Sequence, residues 1–493
     1  VGAERQIERR PARGRSRQVS QNLRLEIGMG GAGGGWHGAA GGRMRRGRHG
    51  GSRRGLRLWL RPGLALPLAA VLAISAAAAR PAAAADAPPE PAPPGAAGSI
   101  ATLTLQQAID LALRGNPGLR AEAATVEATR AGEVTAALRP NPTFSNGTVD
   151  FTGGVAWTVE RGGKRQRRID SARLATAGAE RDLQDSRRTL ILTVRTTFAA
   201  ALLARFNFRA AQENLKNFQQ VEDLNRVRND KGEISGGDFL KIGLQKLQFQ
   251  TDLEDADLAW RTARAGLRQA IFAPELAQDF EVLGELQPAP PAATLAELEQ
   301  RALATRPDLL SAETAVDKAA ADERLAEANA RVDVSVSLGW IHTGPSLVSD
   351  QRVQPFFSAG ESANALGSGV SFPLPLFDRN QGEIARTRAE TLRTRAAADA
   401  VRAQVIADVE TAYVALRTSQ ERVALYDTVY LEKSRQSREI AEFAYHRGAT
   451  SILDLLDAER TDRATQLAHR QALADYVTRL QQLNAAVGVD VAP

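Results

Sequence analysis

From Glu383 to Arg447 the chain contains neither glycine nor proline, and its apolar positions fall on one stripe. Val405, Val409, Ala412, Leu416, Ser419, Val423, Tyr426 and Tyr430 step by four and three alternately. That is the seam of a coiled coil, where about 3.5 residues per turn keep one line of side chains facing a partner. A single helix over this span is about 100 Å long at roughly 1.5 Å per residue, longer than a globular core can cover. The seam occurs twice: Leu190, Val194, Thr197, Ala201, Ala204, Phe208, Ala211 and Leu215 repeat it, each 215 positions (405 − 190) earlier. A period that long marks a duplicated unit.

Upstream of each rod the order also repeats. Thr104 to Ile109 opens an amphipathic helix that breaks at Asn116-Pro117 and resumes to about Leu138; Thr294-Leu295 with Arg306-Pro307 repeats it 190 positions (294 − 104) later. Proline at the same place twice is structural punctuation, because it removes an intrahelical N–H. After each such helix the period shifts to two. Val332, Val334, Val336, Leu338 and Trp340 alternate with Asp333, Ser335, Ser337 and Gly339, which predicts a strand with one apolar face. Leu366 to Leu374 is its expected partner, across a loop at His342 to Ser362. The first half has fainter strands at Thr143 to Phe151 and Val155 to Glu160, joined by Thr152-Gly153-Gly154. Alternating segments of about ten residues fit transmembrane β-strands. Four strands cannot close a barrel, and an open edge cannot remain in lipid, so these hairpins need other subunits to complete them. The competing reading is a small sheet capping a soluble helical protein.

Each rod is expected to end at a turn and return as a shorter helix, Asp238 to about Phe272 and Asp454 to about Val487. Both turns contain Gly-x-x-Ser-x-x-Asp: Gly232, Ser235 and Asp238 in one, Gly448, Ser451 and Asp454 in the other. Glycine suits the left-handed C′ position, and Ser-x-x-Asp suits a capping box. Capping explains these residues without any function; their place at the far tips of the rods also makes them candidates for docking a partner. The layout is then a first repeat at 102–275, a linker at 276–291 bounded by Pro274 and Pro288 to Pro291, a second repeat at 292–488 and a tail at 489–493.

Residues 1–43 are Gly/Arg-rich with no hydrophobic period, and read as a disordered or untranslated extension. Gly28 to Gly33 fits the dinucleotide fingerprint, but no βαβ unit follows; a Gly/Arg RNA-binding tract is the other functional reading. Met44-Arg45-Arg46, the apolar Leu64 to Ile74 and Ala83-Ala84-Ala85 have the form of a signal peptide at 44–85, with translation expected to start at Met44 and a Pro/Ala linker following at 86–101. An intact mass that retains residues 1–43 would exclude that start. The net charge of +6 misleads, because the first 85 residues hold 16 of the 63 Lys and Arg but 3 of the 57 Asp and Glu; the remainder carries −7. The basic balance thus gives no case for nucleic acid. The sequence has no cysteine, which removes disulfides, thiolate chemistry, cysteine zinc sites and an acylated cysteine within it. There is no HExxH or G-x-S-x-G, and Gly163-Lys164 is not a phosphate loop, since Thr158 and Arg165 break that pattern. His342, His446 and His469 fall on a loop, a helix end and a helix, and read as scattered surface residues. No catalytic, cofactor-binding or metal-ligating residue is expected, and the chain reads as a non-enzyme.

The chain resembles the TolC-type outer membrane efflux family from Leu103 to about Val487. The resemblance rests on the duplicated layout, on Phe372-Pro373-Leu374-Pro375-Leu376-Phe377-Asp378-Arg379-Asn380-Gln381-Gly382 entering the second rod, and on the two Gly-x-x-Ser-x-x-Asp turns. Gly163-Lys164-Arg165 with Ile169, together with Asp378 to Gly382, is similar to the heavy-metal branch that serves cobalt, zinc and cadmium or other cation pumps. The resemblance implies a mainly α fold with β-hairpins and a homotrimer, with four strands per protomer in a twelve-stranded outer membrane β-barrel continued by a periplasmic α-helical barrel. It implies a passive exit duct for substrates of an inner-membrane pump of the RND type, reached through a periplasmic adaptor, with outer membrane lipid around the strands. It places Gly232, Ser235, Asp238, Gly448, Ser451 and Asp454 at adaptor-docking tips, and Gly163, Lys164, Pro373, Pro375, Phe377 and Gly382 at the junction of barrel and helices. Two departures stand out: many relatives are lipoproteins whereas this sequence lacks the cysteine, and the part after the signal has no methionine, which argues against a soft-metal site in the channel. The alternatives are a secreted coiled-coil scaffold or adaptor, and the outer membrane channel of a type I secretion system.

Overall fold

Local sequence signals set the entry to each half. In the computed structural model, which describes residues 100–147, 152–273, 276–287, 290, 293–343 and 363–491, β1 (Ile100–Thr104) leads into α1 (Leu105–Gly115). Thr104 Oγ1 accepts from the Gln107 N–H while Gln107 Oε1 accepts from the Thr104 N–H at 3.0 Å, a capping box. Asn116 Oδ1 caps α2 (Pro117–Ala137), with Pro117 in the first turn, where no intrahelical N–H is needed. The hairpin of β2 (Thr143–Gly147) and β3 (Thr152–Val159) follows. Next come α3 (Lys164–Asp230), 67 residues and about 100 Å long, and its return α4 (Gly236–Ile271). The expected extension, signal peptide and most of the 86–101 linker lie outside the described residues.

The second half runs β4 (Leu276–Leu283), α5 (Leu295–Thr305), α6 (Pro307–Asn329), β5 (Val334–Thr343), β6 (Ala363–Ser371), α7 (Gln381–Leu425), a π-helical turn at Tyr426–Tyr430, α8 (Leu431–His446) and α9 (Ile452–Val487). Strand β4 corrects the expected linker at 276–291. Its Leu276, Phe280 and Val282 are buried, and it pairs in parallel with β1, Thr104 opposite Leu283, so this stretch is core for the first half. Thr152-Gly153-Gly154, expected as a turn, belongs to β3. The second hairpin lies a few residues nearer its loop than expected, which puts His342 in β5 instead of the loop.

The second rod is not one uninterrupted α-helix. Buried Val194 and Ala201 match buried Val409 and Leu416 at an offset of 215, but buried Phe218 matches buried Ser434 at 216 (434 − 218), and so do Gly232 and Gly448. The second rod therefore holds one extra residue between Leu416 and Ser434. The π turn sits there: its i→i+5 bonds take up the added residue and return the downstream side chains to their proper faces.

Three clusters hold the helices. Leu103, Val194, Phe198, Ile271, Phe280 and Val282 form the first, and Leu298, Leu309, Val405, Val409, Leu416, Tyr476 and Leu483 the second. A third, with Phe218, Ile242, Phe249, Ile452 and Leu455, joins the two halves near the tips. Each fully buried large side chain contributes about 1.5–3 kcal/mol. By length and composition α3 is apolar enough to cross a membrane, but Val194, Phe198, Ala201 and Leu202 of that helix are core residues. The four hairpin strands form one sheet in the order β2-β3-β5-β6, and α2, α3, α6 and α7 pack side by side in the matching order.

Candidate functional site

The register of the sheet separates its two faces. Trp157 opposes Val336, which opposes Val370; Val155 opposes Leu338; and Trp340 opposes Leu366. One face thus carries Phe144, Trp157, Val336, Leu338, Trp340, Leu366 and Val370, all exposed. The other carries Thr143, Ser145, Ala156, Thr158, Ser335, Ser337, Gly339, Ile341, Gly367, Gly369 and Ser371, uncharged throughout and small except for Ile341. An apolar array of this extent is not left to water. The ten residues of β5, tilted by about 40°, rise about 25 Å, the height of the apolar band of an outer membrane barrel. Among the described strands β2 pairs only with β3 and β6 only with β5, so both outer edges of the sheet are open.

At the junction, Gly163 caps α3 at φ +73°, and a Cβ on neighbouring Gly162 (φ +77°) would come within 2.7 Å of the Arg331 side chain. Lys164 is buried, with its Nζ 2.9 Å from Asp333 Oδ2, while Asp333 Oδ1 accepts from the Arg161 N–H at 3.0 Å. A cation at a helix N-terminus is opposed by the helix dipole; Asp333 offsets it. Arg168 pairs with Glu160 and donates to the Leu138 carbonyl at 3.2 Å. In the second half the equivalent cap is Asn380, at φ +62°, whose Nδ2 donates to the Ala326 carbonyl at 2.7 Å. Gly382 is not that counterpart. It lies within the first turn of α7 with no atom within 4 Å of where a Cβ would sit, so nothing inside the protomer requires glycine there. Pro373, Pro375 and Phe377 are exposed, Phe377 at 91%.

Sequence reasoning missed Asp333 and Asn380. The readable signal for the second was an asparagine just before a helix start, since asparagine is among the few residues other than glycine that tolerate the left-handed region. It also read Arg306 only as the residue before a proline. Arg306 is buried between Asp308 (Nε to Oδ1, 3.0 Å) and Asp408 (Nη1 to Oδ2, 2.8 Å), and ties α6 to α7.

The tips are built alike. The Gly232 and Glu233 N–H groups donate to the Asn229 and Arg228 carbonyls at 2.9 and 2.8 Å; those of Gly448 and Ala449 donate to Tyr445 and Ala444 at 3.0 and 2.9 Å. Both are Schellman closures, with the glycines at φ +76° and +70°. Ser235 Oγ then accepts from the Asp238 N–H at 3.1 Å, and Ser451 Oγ from the Asp454 N–H at 3.3 Å. The Asp238 carboxyl is held below its usual range by Lys241 and then Ser235, and that of Asp454 by the Thr450 and then the Ser451 hydroxyl. Tyr445 Oη donates to Asn225 Oδ1 at 2.8 Å across the two halves. Around the tips Leu240, Leu244, Leu247, Ile440, Phe443 and Leu453 are exposed, and an open groove of about 570 Å³ between α4 and α9 is lined by Lys241, Leu244, Leu453 and Arg460 among others. Among the described residues no three His, Asp or Glu side chains gather as a metal-holding group.

An unfinished sheet with one apolar face, standing on helical hairpins about 100 Å long, defines one protomer of a membrane channel with a long extramembranous tunnel. The chain belongs to the outer membrane efflux protein family, whose model matches residues 108–271 and 298–489, one stretch in each half. It is thus an outer membrane channel of a tripartite efflux system, which includes an adaptor and an inner-membrane pump. The cobalt-zinc-cadmium resistance protein CzcC of Cupriavidus metallidurans is 26% identical over 366 residues, 73% of this chain and 84% of that protein. The pyoverdine export outer membrane protein OpmQ of Pseudomonas putida is 26% identical over 350 residues, 69% of this chain and 67% of that one. The fold is that of solved channels. The outer-membrane channel OprN superposes with a TM-score of 0.64 at 21% identity, covering 79% of this chain and 91% of that one. The open Neisseria gonorrhoeae MtrE channel does so with 0.62 at 19%, covering 79% and 89%.

Proposed function

We propose that three copies close the sheet into a passive outer membrane pore, and that the duct serves an inner-membrane pump of the RND type exporting heavy-metal cations. The observation that carries the closed pore is the sheet itself: β2 and β6 keep open edges beside an apolar face, and lipid offers an open edge no hydrogen-bond partner. The metal reading is supported by the cobalt-zinc-cadmium resistance protein among the relatives, together with the junction residues Gly163, Lys164 and Asp378 to Gly382. The tips at Gly232, Ser235, Asp238, Gly448, Ser451 and Asp454 dock the adaptor, and Lys164, Pro373, Pro375 and Phe377 set the passage from strand to helix. The inner face of the sheet carries no charge among the described residues, which suits a duct that passes cargo without selecting it.

Two measurements test this. Detergent extraction from outer membranes yields a trimer; a water-soluble monomer would overturn the pore. A strain lacking the gene becomes sensitive to cobalt, zinc or cadmium and is restored by the full chain; unchanged metal tolerance together with sensitivity to another substrate would overturn the metal cargo and leave the pore standing.

A further inference from the structure

We infer that Leu376 and Phe377 of one protomer latch onto Val134 and Leu138 of a second copy of this chain, at the level where barrel meets tunnel. The inference rests on the reading of the chain as a pore closed by several copies, and names the side chains that close it below the strands.

The order β2-β3-β5-β6 above α2-α3-α6-α7 gives the protomer two edges. One consists of β2 and α2, the other of β6 and α7. Closing the ring sets the second edge against the first edge of the next copy. Height along the axis is fixed on both sides by hydrogen bonds. Arg165 and Arg168 donate to the carbonyls of Ala137 and Leu138, so the end of α2 lies beside the start of α3. Gln381 Nε2 donates to the Phe377 carbonyl at 3.2 Å and Asn380 to that of Ala326, so Phe377 lies beside the start of α7 and the end of α6. Both apolar pairs therefore sit at the junction, on opposite edges.

All four side chains are unpartnered within the protomer: Val134 is 65% exposed, Leu138 61%, Leu376 66% and Phe377 91%. Lipid does not suit this segment, because it lies past the end of β6 on the helix side and runs directly into Asp378 and Arg379, charged groups that hydrocarbon excludes. A second copy supplies an apolar surface at the same height, continuous with the strand pairing that closes the sheet. Nothing within 4 Å stands over Gly382 either, so a neighbouring helix has room to approach the first turn of α7.

The absence of cysteine gives the test no background. The full chain carrying Leu138→Cys with Phe377→Cys, in outer membrane vesicles treated with a short bismaleimide, is expected to run as a covalent trimer on denaturing gels. Each single variant is expected to stay monomeric there. In parallel, Phe377→Trp in a background with Trp157→Phe and Trp340→Phe, which removes the two tryptophans of the apolar sheet face, is expected to add emission that brominated lipid does not quench. A trimer by light scattering that gives no cross-link, or strong quenching of that tryptophan, overturns the latch while the pore stands. If the unaltered chain forms no trimer, the pore reading falls and the latch falls with it.

Discussion

Replacing Gly448 separates folding from docking. Its backbone is at φ +70° and no atom lies within 4 Å of the position a Cβ would take, so an added side chain enters open space. The cost inside the protomer is the left-handed backbone alone, about 1–2 kcal/mol for a residue with a Cβ. The two Schellman hydrogen bonds at 3.0 and 2.9 Å use main-chain atoms and survive the change. Beneath them Ile452, Leu455, Ile242 and Phe249 stay buried, each contributing about 1.5–3 kcal/mol, so the strain cannot unfold the tip. Gly448→Asn relieves most of the strain, Gly448→Ala carries strain without bulk, and Gly448→Arg carries both. All three are expected to insert as trimers, assayed by immunoblot of outer membranes. In a complemented deletion strain the Asn and Ala variants are expected to export at near the original level and the Arg variant to lose most export, read as growth on the pump's substrate. Full export by the Arg variant would refute docking at this tip. Equal failure of Ala and Arg would assign the effect to the backbone and not to a contact.

Arg306→Met leaves Asp308 and Asp408 without their cation. Their side chains remain 28% and 36% exposed, so the loss is about 2 kcal/mol, below the roughly 3–5 kcal/mol of a fully buried pair, and is read as a fall of several degrees in thermal midpoint. Burial works against ionising Asp308, yet the Arg306 guanidinium holds its carboxyl below the usual range; the stabilisation is therefore complete above the unfolded aspartate value of about 3.9 and is lost as pH falls through the lower folded value. An Arg306→Met protein whose acid-unfolding curve matches the original would refute this. Deleting Thr428 removes the residue that the π turn takes up, and is expected to give an uninterrupted α-helix with an unchanged trimer and a thermal midpoint within a few degrees; deleting Ala415, far from any such turn, is expected to misplace Leu416 and lower it sharply. Asp333→Asn leaves the buried Lys164 without its counter-charge and is expected to lower trimer yield in outer membranes, with Lys164→Met restoring part of it in the double variant.

The rods, the hairpins and both tips were legible because each depends on local rules. A seam at steps of four and three, a proline that stops a helix, and a glycine followed by Ser-x-x-Asp all act within a few residues of themselves. The strand β4 was not legible because its apolar residues Leu276, Phe280 and Val282 do not alternate strictly, and its partner β1 lies more than 170 positions away, across both helices of the first hairpin. Prolines on either side made the stretch look like a spacer. Asp333 escaped for a related reason: as an aspartate alternating with valines it fits a polar strand face, and only the fold brings it to Lys164. The π turn escaped because a one-residue insertion leaves the upper seam untouched. The offsets of 215 in the seam and 216 at the tips do record it once the two are compared.

The three hydrophobic clusters all lie among the helices and the β1–β4 pair, whereas no described residue of the four-stranded sheet is buried. The helical part therefore carries its own core in each copy, and the sheet carries none. An isolated sheet of this kind is marginal in water, because its apolar side chains face outward and its edge groups lack partners. Its stability has to come from lipid on one face and from neighbouring copies at both edges. The uncharged and, Ile341 apart, small side chains of the opposite face follow from the same division of labour. They have no core to fill, and in a closed ring they face a passage that bulky or charged groups would narrow or bias.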